Sequence, residues 1–198
     1  MADDQHRADP DERPENVRLD ATAVRVLAHP MRSLLLSRLR GEGPATATEL
    51  AEALDTNTGA TSYHLRKLAE VGLVTDTGEG EGRRRQWRAA SRSHSFTGGD
   101  YPADEQTQAA VAWLGRHYLR QAADGHERYL DREEDWPQDW RDALSVNDDA
   151  VVVEPEQLRA MHAELDEVVA RYRSASDTPR ARRVRVNLIF TPADPRWS

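Results

Sequence analysis

Apolar positions in the first third of the chain recur at helical spacing between clear helix ends. Asp20 is a good N-cap, and the following ATAVRVLA predicts a short helix that stops before Pro30. Pro30 suits the first turn of a second helix, MRSLLLSRLR, which is expected to close at Gly41. Residues 1–19 are polar and show no periodicity, so they are predicted to be a disordered acidic tail.

Two further helices are predicted beyond Gly41, separated by the break DTNTG. The third should run from Thr46 to Leu54, since Thr46 and Glu49 have the spacing of a capping box. The fourth begins near Thr58 and ends at a glycine, Gly72, as helices often do.

The fourth helix has two chemically distinct sides. Spacing at i, i+3, i+4 and i+7 predicts one buried stripe: Thr61, His64, Leu65 and Leu68. The opposite side carries polar and basic side chains: Thr58, Ser62, Tyr63 and Arg66, with Lys67 close by. A helix with such an outer face fits the roughly 12 Å major groove of DNA.

A β-hairpin is predicted directly after this helix. Residues 73–77 and 86–88 can each be a strand, joined by the glycine-rich turn GEGEGRRR. Arg83, Arg84 and Arg85 come at its tip, where they could reach DNA phosphates. Two helices across a short break, followed by such a hairpin, predict a winged helix-turn-helix.

The next segment, residues 102–132, predicts one long helix. Its apolar positions have the spacing of a helix that pairs with another helix: Val111, Leu114, Tyr118, Ala122 and Tyr129. They are expected to form a dimer interface, and the alternative is that they pack against their own domain.

The last third of the chain combines aromatic, helical and alternating patterns. Trp136 and Trp140 in DWPQDW could line an effector pocket or a partner surface, although such residues more often anchor a loop. DAVVV predicts a strand, the segment after it a helix, and RVRVNLIFTP a second strand. These elements predict a small α/β region that could bind an effector or extend the dimer. The arginines from 180 to 185 are interpreted as a protected strand edge rather than a second DNA contact.

Charge is spread unevenly over the 198 residues. The net charge is −8 overall, but residues 20–96 carry +2 whereas residues 97–198 carry −7. A polyanion would therefore be attracted to the middle segment and repelled by the rest. Cysteine is absent, which excludes thiolate metal sites and cysteine nucleophiles. No transmembrane or signal segment is recognised, so a cytoplasmic location and no membrane partner are expected.

The residues from about Val24 to Ala89 resemble the ArsR family of winged-helix transcriptional repressors. The most specific matches are His29-Pro30-Met31-Arg32, Ser62-Tyr63-His64-Leu65 with Leu68, and Glu70-Val71-Gly72-Leu73-Val74. The resemblance implies a homodimer that recognises a palindromic operator in double-stranded DNA. By position it implies base contacts from Thr58, Ser62, Tyr63 and Arg66, and phosphate contacts from Lys67 and the arginines 83–85. Thr61 departs from the family, which usually has an apolar residue there.

Metal sensing, which better-known ArsR members perform, is not favoured in this chain. The segment ATELAEALD lacks the cysteine ligands that such members often carry. A His and carboxylate site is the other option: Asp104, His117, His126 and Glu127. The two histidines are nine residues apart and should point in different directions. No cofactor or metal is therefore expected, and no catalytic grouping is recognised.

The predicted fold class is mainly α with small β elements, a winged helix-turn-helix domain plus a C-terminal helical or α/β extension. Four parts are predicted: a tail (1–19), a DNA-binding domain (20–96), a dimerisation helix (97–135) and a C-terminal region (136–198). The predicted function is a dimeric repressor without a cysteine metal site. The alternative is a winged-helix protein-interaction module that does not bind DNA on its own.

Overall fold

A computed structural model describes residues 13–14, 16–80, 85–172 and 178–193. The chain divides into a first unit, residues 1–120, and a second unit, residues 121–198. Its main helices are α1 (Ala21–Leu27), α2 (Pro30–Gly41), α3 (Ala47–Ala53), α4 (Thr58–Glu70), α5 (Glu105–Leu130), α6 (Gln138–Arg141) and α7 (Pro155–Tyr172). Its strands are β1 (Asn16–Arg18), β2 (Ala45–Thr46), β3 (Val74–Asp76), β4 (Gln86–Ala89) and β5 (Ser93–Ser95). Within the described ranges, no helix is long and apolar enough to span a bilayer.

Side-chain caps fix where the first three helices begin, as the sequence predicted. The Ala23 N–H donates to the Asp20 side chain over 2.7 Å at the start of α1. At α3, Thr46 and Glu49 form a reciprocal capping box. These local contacts satisfy backbone donors that have no partner inside a helix, which is why they specify helix starts.

The core of the first unit is built from leucines on several helices and in the turn after α4. Its fully buried members include Leu27, Leu35, Leu36, Leu39, Leu65, Leu68 and Leu73. Because α4 contributes Leu65 and Leu68, its inner side is held firmly and its outer side faces away from this core.

Two small sheets complete the first unit. The predicted hairpin is confirmed as β3 and β4, and β2 adds a third antiparallel strand in the order β2-β4-β3. The other sheet pairs β1 with β5 in parallel. The two-residue β2 is too short to leave a periodic pattern in the sequence, and it was not predicted.

The boundary of the predicted tail was wrong by a few residues. Residues 16–18 form β1, and Leu19 is only 3% exposed within the core. The Leu19 N–H also donates to the Ser95 carbonyl oxygen over 3.0 Å. Two apolar residues, Val17 and Leu19, are too few to show a period, so the pairing with β5 could not be read from the sequence. Residues 1–12 lie outside the described residues.

Part of α5 packs against its own unit. Leu114 is fully buried in the first unit's core, and Thr107 and Ala110 are buried beside it. The Thr107 hydroxyl accepts a hydrogen bond of 2.7 Å from Arg25 of α1. Leu114 is therefore corrected from a dimer contact to a core residue, since a side chain with no exposed surface cannot meet a second subunit.

A polar network lies beside this part of α5. Arg40 of α2 donates to the Ser91 carbonyl oxygen over 3.0 Å and to Nδ1 of His94. Because a guanidinium can only donate, Nδ1 must accept, so the ring proton is on Nε2 and is donated to Tyr118 Oη over 2.9 Å. Burial, reinforced by the charge of Arg40, lowers the pKa of His94 to about 3. Burial also lowers the pKa of Arg40 to about 10.

The second unit is helical where it is regular. The helix predicted there is confirmed as α7, but the described residues from 121 to 172 and 178 to 193 contain no strand. The strands predicted in DAVVV and RVRVNLIFTP are therefore not formed within the single described chain, and the α/β region stays a prediction. Alternation of apolar residues sets the faces of a strand, but a strand also needs a neighbouring backbone to pair with.

Thr61, the residue that departs from the ArsR pattern, leads to a prediction about stability. Its side chain is fully buried on the inner side of α4, and its hydroxyl has no hydrogen-bond partner among the described residues. An unsatisfied buried hydroxyl costs about 1–3 kcal/mol. Thr61→Val removes the hydroxyl and keeps the volume, so we expect it to raise the free energy of unfolding by about 1 kcal/mol in urea titrations.

Thr61→Ser is the matched control, since it keeps the hydroxyl and removes the methyl group. We expect it to lower the free energy of unfolding. A valine variant no more stable than the natural chain would show that the Thr61 hydroxyl is satisfied in solution.

Candidate DNA-reading surface

The pair α3 and α4 positions the outer face of α4. Asp55 in the turn between them has a positive φ of 48°, which reverses the chain after α3. Asn57 caps α4 by accepting a 2.8 Å hydrogen bond from the Ala60 N–H. With Leu65 and Leu68 buried, the helix is anchored along one side and its first turns are fixed in direction.

The polar face of α4 consists of Thr58, Ser62, Tyr63, Arg66 and Lys67. Tyr63 is 52% exposed, Arg66 is exposed, and the other three are half-buried. These are the five residues that the sequence predicted to face outward, and the structure brings them together on one side. Hydroxyl, phenol, guanidinium and ammonium groups on one helix provide the donors and acceptors that base edges and phosphates require.

The two cations on this face are held differently. Nε of Arg66 donates to the Ser62 carbonyl oxygen over 3.1 Å, which orients the guanidinium along the helix. Lys67 forms an ion pair of 2.8 Å with Glu70, and this contact raises the pKa of Lys67. Arg66 is therefore the cation of α4 with no carboxylate partner among the described residues, whereas Lys67 would have to leave Glu70 to contact a phosphate.

Residues from α2 lie beside the polar face, and sequence reasoning missed them. The His29 ring lies 4.6 Å from that of His64, which contacts Tyr63 at 5.3 Å between ring centroids. Burial lowers the pKa of both histidines, and the charge of Arg32 lowers it further. Both rings are therefore neutral at pH 7, and the cation next to them is Arg32. His64 is half-buried, at the edge of the core.

The hairpin formed by β3 and β4 is the predicted wing. Its strands pair Val74 with Ala89, and the turn that joins them includes Gly78 with φ of 77°. Arg85 forms a 2.9 Å ion pair with Asp76 and lies 5.9 Å from the centre of the Trp87 ring. These contacts hold Arg85 at the base of the turn. Arg83 and Arg84, the other two predicted phosphate contacts, lie outside the described residues.

The remaining residues predicted for a dimer surface lie on α5. Val111 and Tyr118 are half-buried and pack against the first unit's core, and Ala122, in the second unit, is half-buried. Their outer surfaces stay candidates for a subunit contact. The Tyr118 hydroxyl also forms a hydrogen bond with Nε2 of His94.

The predicted effector residues lie together in the second unit. The rings of Trp136 and Trp140 are 6.1 Å apart, and Tyr129 is 6.5 Å from Trp136. Both tryptophans are half-buried. The arrangement groups three aromatic rings around the short helix α6, and its role as a binding site stays a prediction.

The four candidate metal ligands are not gathered into a site. In the described part of the chain, no three His, Asp or Glu side chains lie close enough to hold a metal ion. Asp104 instead caps α5 by accepting from the Thr107 N–H over 2.9 Å, and the His117 ring stacks on Trp113 at 4.8 Å.

Comparison with known proteins supports the geometry of the first unit. A family model described as a helix-turn-helix domain matches residues 27–77. The HTH-type transcriptional regulator NmtR of Mycobacterium tuberculosis is 43% identical over 54 residues. That alignment covers 27% of this chain and 44% of the relative, so the chain spans less than half the length of the curated relative that it matches. Together with the helix pair and wing, these matches show that the chain contains a helix-turn-helix domain over residues 27–77, which resembles those of the ArsR type.

Proposed function

We propose that this chain is a sequence-specific, DNA-binding transcriptional regulator of the ArsR type that acts as a homodimeric repressor. The observation that carries the proposal is the exposed polar face of α4, anchored by buried leucines and followed by a wing. The relative's description as a transcriptional regulator supports it. The chemistry of the face is that of binding, and we assign no catalytic residue.

A dimer would give the regulator its operator geometry. Two α4 helices related by a two-fold axis would contact two half-sites about one DNA turn apart, roughly 34–36 Å. The operator would then be a palindrome, and the protein would act on cytoplasmic DNA. The positive net charge of residues 20–96 supports binding through this part of the chain.

Selection of duplexes from a random DNA pool tests the proposal. The full chain should enrich a palindrome whose half-sites are one turn apart. Failure to enrich any sequence, with no binding at low salt, would contradict it and favour the protein-interaction alternative, for which the chain's overall acidity argues.

Arg66→Ala should weaken binding to the selected duplex with little effect on unrelated DNA. Its guanidinium is exposed on α4 and oriented by Ser62, so it can donate to a guanine edge. A base contact of this kind contributes about 1–3 kcal/mol of discrimination, which corresponds to a loss of affinity of roughly 5- to 150-fold. Fluorescence anisotropy titrations at fixed salt measure it.

Arg159→Ala is the matched control, because Arg159 is also an exposed helical arginine, on α7. It should leave the affinity for the selected duplex unchanged. If both variants lose the same affinity for all duplexes, Arg66 contributes only charge and the assignment of a base contact is wrong.

The proposal also includes a small-molecule effector that controls release of the protein from DNA. The grouped rings of Trp136, Trp140 and Tyr129 support this location, since aromatic side chains often line small-molecule sites. A ligand that binds there should change tryptophan fluorescence, and Trp140→Phe should remove that change while DNA binding persists.

A further inference from the structure

The second unit has apolar surface without a core to cover it. None of its described residues, 121–172 and 178–193, is buried. Helix α7 carries an apolar stripe along its 18 residues, yet Val168 is 40% exposed and Tyr172 is 72% exposed. An amphipathic helix is stabilised mainly by burying such a stripe, and the described residues of this unit leave part of the stripe uncovered.

The segment from Val184 to Phe190 also has backbone groups that are not paired with any other described backbone group. Five of its side chains are exposed apolar residues: Val184, Val186, Leu188, Ile189 and Phe190. Its backbone N–H and C=O groups make no hydrogen bond to another described backbone group. The Phe190 ring lies 5.1 Å from His162, so the end of the segment lies against α7. An apolar, strand-like segment with an unpaired backbone is a template for pairing with another strand.

We propose that this segment pairs with the same segment of a second copy of the chain, antiparallel and centred on Asn187. In that register Val184 lies opposite Phe190 and Val186 opposite Leu188, so the apolar face of each strand meets the other. Arg185 lies opposite Ile189, and no arginine faces another arginine. The segment is thus complementary to itself in hydrophobicity, and the register avoids like charges directly opposite each other.

Neighbouring registers are worse for identifiable reasons. Moving the centre to Val186 places Ile189 and Phe190 opposite Arg183 and Arg182, so fewer apolar side chains meet one another across the pair. Moving it to Leu188 brings Pro192 opposite Val184, and proline has no N–H to donate to the ladder. The centre at Asn187 uses all seven residues.

A second copy fits this segment better than the chain's own valines do. Val151, Val152 and Val153 are also exposed, but three residues cannot pair with seven. The second copy supplies a strand of equal length and the same apolar face. The pairing uses residues 184–190 and none of the α5 residues proposed for the other dimer contact, and it does not depend on DNA binding.

A cysteine scan tests the register, because the natural chain contains no cysteine. Asn187→Cys in the full chain should form a covalent dimer under mild oxidation with diamide at micromolar concentration. Residues opposite each other in antiparallel strands have Cα atoms about 4.5–5.5 Å apart, which suits a disulfide. Non-reducing gel electrophoresis measures the fraction of dimer.

Thr191→Cys is the matched control in the same exposed segment. In the proposed register the two residues 191 would be about 27 Å apart, from eight residues at about 3.4 Å each. This variant should therefore form no covalent dimer. Arg185→Cys mixed with Ile189→Cys should form a mixed dimer, since these positions lie opposite each other. Circular dichroism confirms that each variant is folded.

At least tenfold more covalent dimer for Asn187→Cys than for Thr191→Cys supports the proposal. Equal crosslinking of the two variants, or none for a folded Asn187→Cys, would overturn it. A protein that crosslinks at residue 187 but binds no duplex would contradict only the proposed function, so the two failures are distinguishable.

Discussion

Replacing Leu114 by alanine is expected to lower the free energy of unfolding of the first unit by about 2–5 kcal/mol. The Leu114 side chain has no exposed surface and lies in the same cluster as the leucines of α1, α2 and α4. The truncation removes buried methyl groups and leaves a cavity that neighbouring helices can only partly fill. Urea titration followed by far-ultraviolet circular dichroism measures the change.

Leu119→Ala is the matched control on the same helix, because Leu119 is 55% exposed. We expect that change to stay within about 0.5 kcal/mol. A subunit contact would behave differently, since an interface stabilises the folded state by an amount that grows with protein concentration. A Leu114→Ala loss that disappears at high protein concentration would return Leu114 to the dimer interface.

Local signals in the sequence account for most of the first unit. The caps at Asp20 and Thr46, the leucine spacing of α4 and the glycines of the hairpin each involve residues a few positions apart. Such contacts depend on residues close in sequence and little on the rest of the fold, so they can be predicted from the sequence. The polar face of α4 was predictable for the same reason, because the buried stripe determines what lies opposite.

The sequence could not predict in the same way which part of the molecule each apolar face packs against. The apolar stripe of α5 indicated that one side of the helix is buried, but it did not indicate which surface buries it. Leu114 is buried by its own unit. Arg32 and His29 lie beside His64 only because α2 packs against α4. In the second unit, the alternation from Val184 to Phe190 predicted a strand, yet no described backbone pairs with it.

Acidification should destabilise the first unit through His94. In the folded protein Nδ1 of His94 accepts from Arg40, and the pKa of the ring is lowered to about 3, whereas an unfolded histidine has a pKa of about 6.5. Between these values the unfolded chain binds a proton that the folded chain does not, so stability falls as the pH falls. Above about pH 6.5 both states are neutral and the contribution to the pH dependence vanishes.

The slope approaches 1.4 kcal/mol per pH unit below about pH 6, which gives a loss of about 2 kcal/mol between pH 7 and pH 5. His94→Gln is the informative variant, since an amide can accept from Arg40 and donate to Tyr118 without titrating. Urea titrations at both pH values should show a loss smaller by about that amount in the variant. His29, His64 and His117 titrate in both proteins, so the difference isolates His94. Identical losses would mean that the folded ring takes up a proton as readily as an unfolded histidine, so that Arg40 does not hold Nδ1 of His94 in solution.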